Sequence, residues 1–338
     1  MGLEIKVITD QTGIDQTKWS HFIASHPNAN FFQSPKAFQF FESAENYQPL
    51  LFLAFEKEEI VGSLLAVVIQ EGHGLKGYFS RRCIVWGGPL IKDNDKKIAE
   101  KILEEYENQI SRRAIYSQFR NLFDLSNLKD KFTSKGYSFD EHLNIHVDLT
   151  KTEDELWSEV HSKRRNEIRR AEKEETIFQV SDNREDLPIT YEILSQVYTR
   201  ARLPLPDVQF YLSAFDHIGP EQYKIFIALN QGKTIGTMYA LCYKDTIYDW
   251  YAGSYQEYYN KYPNDLIPWK VFLWGKENGY KKFDFGGAGK PGVPYGVRDY
   301  KKKFGGEFVN YGRYEKIHKP GLFQIAKSGF KIFQMVKR

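Results

Sequence analysis

The chain has 338 residues, 41% hydrophobic and 27% charged, with a net charge of +3. That length exceeds one ordinary core, so two domains are expected, and so small a net charge excludes a protein that holds nucleic acid by bulk charge; an anionic partner must be met by a local patch. Cys83 and Cys242 sit far apart in apolar runs, which reads as buried thiols of a reducing compartment and excludes a disulfide framework.

From the N-terminus, MGLEIKVITD has no charged-then-apolar leader pattern, and no later stretch reaches 18 uncharged apolar residues. A cytoplasmic protein is the expectation. A helix is predicted over 17–25, stopped by the turn His26-Pro27-Asn28. Ser34-Pro35 starts a second helix, with serine at the cap and proline at the first position. Strands are predicted over 50–55 and 60–70, joined at 56–59, and another over 82–86 that ends at Gly87-Gly88-Pro89. Ile98, Ile102, Tyr106 and Ile110 recur at helical spacing over 96–113. A strand over 115–119, a helix over 127–135 stopped by Gly136, and a strand over 137–149 complete the first half.

The second half repeats this order. Phe52-Leu53-Ala54-Phe55 followed by Val61-Gly62-Ser63 is matched by Phe226-Ile227-Ala228-Leu229 followed by Ile235-Gly236-Thr237, at a constant offset of 174 residues. Helices over 188–200 and 207–215 precede a meander of strands over 224–229, 234–243 and 246–252, with Lys244-Asp245 as a tight turn. A helix over 265–278, a strand over 282–285, a helix over 297–304 and a strand over 307–317 follow. Two helices, three antiparallel strands, helix, strand, helix and strand thus occur twice, the mark of a duplication. The order resembles that of GNAT-type acyltransferases, which implies mixed α/β sheets in two tandem GNAT-like domains. In that fold two central strands splay apart to admit donor and acceptor.

Between the copies, Thr152 and Glu155 form a capping-box pattern. The helix after it carries Lys163, Arg164, Arg165, Arg169, Arg170 and Lys173, with Arg165, Arg169 and Lys173 spaced to share a face. It reads as a phosphate-binding face or as a solvated linker helix whose Glu167, Glu172 and Glu174 answer the bases. The boundaries expected are a first domain over 1–149, a basic connecting helix over 150–180, a second domain over 181–318 and an amphipathic helix over 319–338. That last helix is expected to dock on the core, with a peripheral membrane contact as the alternative.

The stretch from Phe283 to Phe308 draws the eye. A short strand with one acid, Asp284, empties into a loop of glycines and prolines, then into Tyr300-Lys301-Lys302-Lys303-Phe304-Gly305. Glycines allow a backbone to approach a ligand closely. Gly286, Gly287 and Tyr295 of that loop, with Lys303, are candidate substrate contacts. Asp249, mid-strand between Tyr248 and Trp250, is a candidate base, with Ile247 and Tyr251 on its face by alternation. Asp284 is assigned the shaping of the glycine loop. His142 and His146 share a strand face, but without a recognisable set of further ligands they do not make a metal site.

Four pieces resemble the FemABX family, aminoacyltransferases that extend peptidoglycan peptide side chains: Arg164–Glu175, Gly87–Asp93, Pro263–Gly287 and Tyr300–Glu307. The resemblance implies a tandem GNAT-like fold and direct transfer of an aminoacyl group from a charged tRNA to an amine of UDP-MurNAc-peptide or a lipid-linked muropeptide. It implies no cofactor. Lys301 matches the family's functional lysine, and Arg165 a basic-helix residue near the precursor's diphosphate. An acid is usual where Lys92 stands, with Asp93 next to it, so either Asp93 is the first-domain acid on a shifted turn or that acid is absent. The coiled-coil arm of some relatives is absent. Two other functions remain open. One is CoA-dependent N-acyl transfer to a sugar or lipid-linked intermediate, although the stretch 253–265 lacks the glycines of a pyrophosphate loop. The other is a non-catalytic binding protein on the same fold. The sequence is silent on oligomeric state.

Overall fold

Two mixed sheets organise the chain, whose computed structural model describes residues 3–327. The chain forms two units, one of residues up to 141 together with those from 311 on, the other of residues 142–310.

The first unit opens with β1 (Glu4–Ile8), α1 (Gln16–Ser25), α2 (Pro35–Ser43), β2 (Tyr47–Glu56) and β3 (Glu59–Ile69). Then come α3 (Gly74–Ser80), β4 (Arg82–Trp86), β5 (Leu90–Ile91), α4 (Lys96–Arg113), β6 (Tyr116–Arg120), α5 (Lys129–Ser134) and β7 (Ser138–Asp140). Ser34 caps α2 by accepting from the Ala37 N–H, as its sequence signature predicts. The apolar stripe of α4 buries Ile98, Ile102, Tyr106 and Ile110 against the sheet.

The second unit runs through β8 (Leu143–Asp148), α6 (Glu153–Glu159), α7 (Ser162–Lys173), β9 (Ile177–Ser181), α8 (Leu187–Ala201), α9 (Val208–Ile218) and β10 (Tyr223–Asn230). It continues with β11 (Lys233–Tyr243), β12 (Thr246–Ser254), α10 (Pro263–Glu277), β13 (Lys282–Gly287), α11 (Gly296–Lys301) and β14 (Glu307–Asn310). The chain then returns to the first unit with β15 (Arg313–Ile317). Here α10 lies on the sheet as α4 does in the first unit, burying Leu266, Ile267, Val271 and Phe272.

The duplication holds in fine detail. The β2–β3 pairing slips register between Ala54 and Phe55, and the β10–β11 pairing slips between Ala228 and Leu229, the same step 174 residues on. Gly62 and Gly236 serve the same purpose. A Cβ on Gly62 would lie 2.7 Å from Ile102 Cδ1 of α4, and one on Gly236 would lie 2.8 Å from Pro263 Cβ of α10. Each glycine lets the central helix seat on its hairpin. Gly62→Ala and Gly236→Ala are each expected to destabilise by about 1–3 kcal/mol through overpacking. Denaturant unfolding measures this, and wild-type midpoints would mean that the helices withdraw freely.

Three expectations are corrected. The extended stretches 137–149 and 307–317 are not single strands within their own halves. In the first sheet the order is β1-β2-β3-β4-β6-β15-β7, with β5 on β3; in the second it is β14-β8-β13-β12-β11-β10-β9. Each stretch divides, so β8 joins the second sheet and β15 the first, and the halves exchange strands. The boundaries at 149 and 181 move accordingly, since β8 and both helices of 153–173 belong to the second unit. The basic helix is also two: Val160 ends α6, and the His161 side chain caps α7 by accepting from the Lys163 N–H. The capping box of Thr152 and Glu155 is present. Of the expected terminal helix, 320–327 is helical and 328–338 lies outside the described residues. Among the described residues no helix is long and apolar enough to cross a membrane.

Candidate active site at Lys301

The site begins where two parallel strands part. β12 pairs with β13 only at Thr246–Lys282, Ile247–Phe283 and Tyr248–Asp284. Beyond that point β12 stays with β11 and β13 with β8, which is the splay expected of the fold. A strand that loses its neighbour leaves carbonyls in need of donors. Lys301 supplies them, its Nζ donating to the Phe285 carbonyl at 2.5 Å and the Gly287 carbonyl at 3.2 Å.

Lys301 is held there by its neighbours in sequence. Tyr300 and Phe304 pack ring to ring at 5.3 Å, and Phe304 meets Phe272 and Phe285 in the core. The Arg164 guanidinium lies over Tyr300 at 4.9 Å and over Phe304 at 5.8 Å. Gly306, at φ 81, closes the motif; a Cβ there would lie 2.5 Å from the His146 carbonyl of β8. The aromatic-lysine-aromatic-glycine pattern is therefore a socket for one ammonium group. Burial lowers the pKa of Lys301, and the charges of Asp249 and Asp284 work against that lowering.

Asp249 is the first β12 residue past the splay. Burial raises its carboxyl to about 6; Lys301 pulls it down and Asp284 pushes it up. That value suits a group that takes a proton near neutral pH. Its expected face partners are half right. Tyr239 pairs with Tyr251 and Ala240 with Asp249, so Trp250 is an extra, bulged residue. The bulge keeps Asp249 on the face of Ile247 and turns Tyr251 to the other, where it meets Tyr211 and Tyr198.

Asp284 is 4% exposed. It accepts from the Gly286 N–H at 2.7 Å and from Asn144 at 3.3 Å, and His146 Nε2 lies 3.2 Å from its other oxygen. The loop-shaping task assigned to it is what these bonds perform, and a carboxylate does stand beside His146. Gly286 has φ 68, and the loop is tied to β8 by Ala288 N–H to the Leu143 carbonyl and Leu143 N–H to the Gly289 carbonyl. Tyr295 is 40% exposed and covers Gly289. Arg298 braces the same loop through the carbonyls of Lys290 and Val293. Lys303 lies two residues past Lys301, and its carbonyl accepts from the His161 N–H at 2.8 Å.

The basic helix α7 carries its charges in several ways. Arg164 pairs with Asp265 of α10 and with Glu167 at 2.9 Å. Burial raises Asp265 to about 6 against the pull of Arg164. Arg165 Nη1 donates to the carbonyls of Trp157 and Ser158, both at 3.1 Å, closing the end of α6. Arg169 lies over the Trp157 ring at 5.3 Å. Lys173 is exposed. Glu172 and Glu174 pair with Lys270 and Lys261, not with bases of their own helix. Replacing Arg164 with alanine strands a buried carboxylate, so a loss of about 3–5 kcal/mol is expected. Chemical unfolding near neutral pH tests this, and a loss under about 1 kcal/mol would mean that water reaches the pair.

Asp93 belongs to the first unit. It is exposed, at φ 53, in the turn after β5, and it lines a cleft of about 760 Å³ beside α1 and the β2–β3 turn. Sequence reasoning missed His146, Asn144 and the placement of Arg164. Only the meeting of segments far apart in the chain, β8 with β13 and α7 with α11, brings them to Asp284 and Tyr300.

Residues 159–302 match the family model described as an acetyltransferase (GNAT) domain. The second unit thus carries an acyltransferase domain of the GNAT type, and the chain as a whole is a tandem GNAT-like fold, with no coiled-coil arm among the described residues. Its likeness to the solved structure of FemX runs end to end: 14% identity over 95% of this chain and 99% of that one, with a TM-score of 0.73. L-PGS from Bacillus licheniformis is 16% identical over 93% of this chain and 96% of its own, with a TM-score of 0.58. A tandem GNAT protein from the clavulanic acid biosynthesis pathway is 8% identical over 93% and 99%, with a TM-score of 0.57. No curated protein matches the sequence.

Proposed function

We propose that the chain is a non-ribosomal aminoacyltransferase that moves an amino acid from aminoacyl-tRNA to an amine of a peptidoglycan precursor. The observation that carries this reading is the FemX-like fold over nearly the whole of both chains, with Lys301 of the matching motif at the splay. The acceptor amine attacks the ester carbonyl and a C–N bond forms. Negative charge gathers on the carbonyl oxygen, which the Lys301 ammonium stabilises. Asp249 takes the amine's proton and returns it to the ribose oxygen as the ester C–O bond breaks. Arg165, Arg169 and Lys173 form the anion-facing side of α7, and Gly286, Gly287, Tyr295 and Lys303 border the donor. Asp93 is the first unit's candidate acid.

The GNAT family match favours a second reading, acyl transfer from acyl-CoA. Against it, α10 opens with Pro263, which has no N–H to offer, and places the acid Asp265 in its first turn. A helix end so built is poorly suited to a pyrophosphate. Mass analysis of product decides between them: the protein is mixed with charged tRNA pools or acyl-CoAs and a UDP-linked muropeptide. Aminoacylated muropeptide is expected, and acyl-CoA consumption with no aminoacyl product would sink the first reading.

A further inference from the structure

A group of exposed apolar side chains lies on the first unit. Leu75 is 77% exposed and Tyr78 40%. They stand three apart on α3 and so share one face. This helix runs straight into β4 at Arg82, which pairs laterally with Tyr116 of β6, and Tyr116 pairs with Ile317 of β15. Three neighbouring strands, each about 4.8 Å from the next, therefore end together. From Ile317 the chain enters the helical residues 320–327. Phe323 seats on the Tyr116 ring at 5.5 Å, and Lys319 donates to the Arg112 carbonyl at 2.9 Å. Ile325 nonetheless stays 56% exposed and Ile317 45%.

The elements gathered at one end of the sheet thus present Leu75, Tyr78, Ile317 and Ile325 to solvent. Its surroundings are basic. Arg81 lies over the Tyr78 ring at 5.6 Å and Arg82 opens β4, while Arg112 and Arg113 close α4, Lys319 precedes the helical residues in sequence and Lys327 ends them. Glu71 answers Arg82 at 2.6 Å. Among the described residues no ion pair is seen for the other five.

We propose that this end of the first unit docks on an anionic lipid surface. The apolar tips enter the acyl boundary, and the arginines and lysines meet the headgroup phosphates. A second copy of the chain fits the patch poorly, since it would set one basic rim against another. RNA is met by several stacking rings, and of these four side chains only Tyr78 offers one.

The test is sedimentation with vesicles of phosphatidylcholine alone or with phosphatidylglycerol added. Wild-type protein is expected to pellet with the anionic vesicles and not with the neutral ones. The Leu75→Asp/Tyr78→Asp variant, at exposed positions and with unchanged melting, is expected to lose about tenfold of the bound fraction. Equal pelleting of the two proteins, or none of the wild type, overturns the proposal. So does a variant that keeps vesicle binding but loses self-association by light scattering, or loses tRNA binding.

Discussion

Lys301→Ala is expected to lower kcat by about 10²–10³-fold, the usual cost of removing one group that stabilises a developing oxyanion. The folded state should survive. The ammonium is desolvated, and its removal trades two carbonyl contacts for relief of a buried charge. The distribution of the loss matters. A group that acts on the transition state lowers kcat and leaves KM for charged tRNA near its wild-type value; one that grips phosphate raises KM instead. Wild-type turnover in this variant would remove Lys301 from the site.

Asp249→Asn is expected to cost about 10²–10⁴-fold in kcat and to abolish the acidic limb of the pH–rate profile. In the wild type that limb should fall with an apparent pKa near 6, because activity needs the ionised carboxylate and its pKa is raised to about 6. Stability runs the other way. The folded-state pKa exceeds the ordinary value of 3.8, so the folded chain holds more protons between about pH 4 and 6, and stability falls as pH rises through that window. Above pH 6 the asparagine variant should therefore unfold later than the wild type, and at pH 3 the two should be alike. An active variant, or one with the acidic limb unchanged, would assign proton transfer elsewhere.

Much of the fold was legible because its signals are local. The offset of 174 residues follows from apolar strands and their two small residues, Gly62 and Gly236, which one repeated packing problem demands. Ser34-Pro35 and the pair Thr152 and Glu155 fix helix starts by hydrogen bonds within four residues. Lys301 was singled out by its aromatic setting, and that setting is the socket around it. The failures lie in pairing. Alternation along 137–149 says that a strand forms but not which strand lies beside it, so the exchange of β8 and β15 left no local trace. The edge strands β1 and β9 are half exposed and carry a weak pattern. A single inserted residue, Trp250, reversed the face of Tyr251. His161 is an uncommon cap, so the break between α6 and α7 read as continuous helix.

The exchanged strands bear on the order in which the protein is made. On a ribosome the first unit is synthesised early but cannot be finished, because β15 must enter between β6 and β7 and comes from residues 313–317. The second unit is one unbroken stretch, 142–310, and has all its strands sooner. The later-encoded half is thus expected to close first, while β6 and β7 wait with open edges. During that interval the nascent chain is most exposed to mispairing and to chaperones.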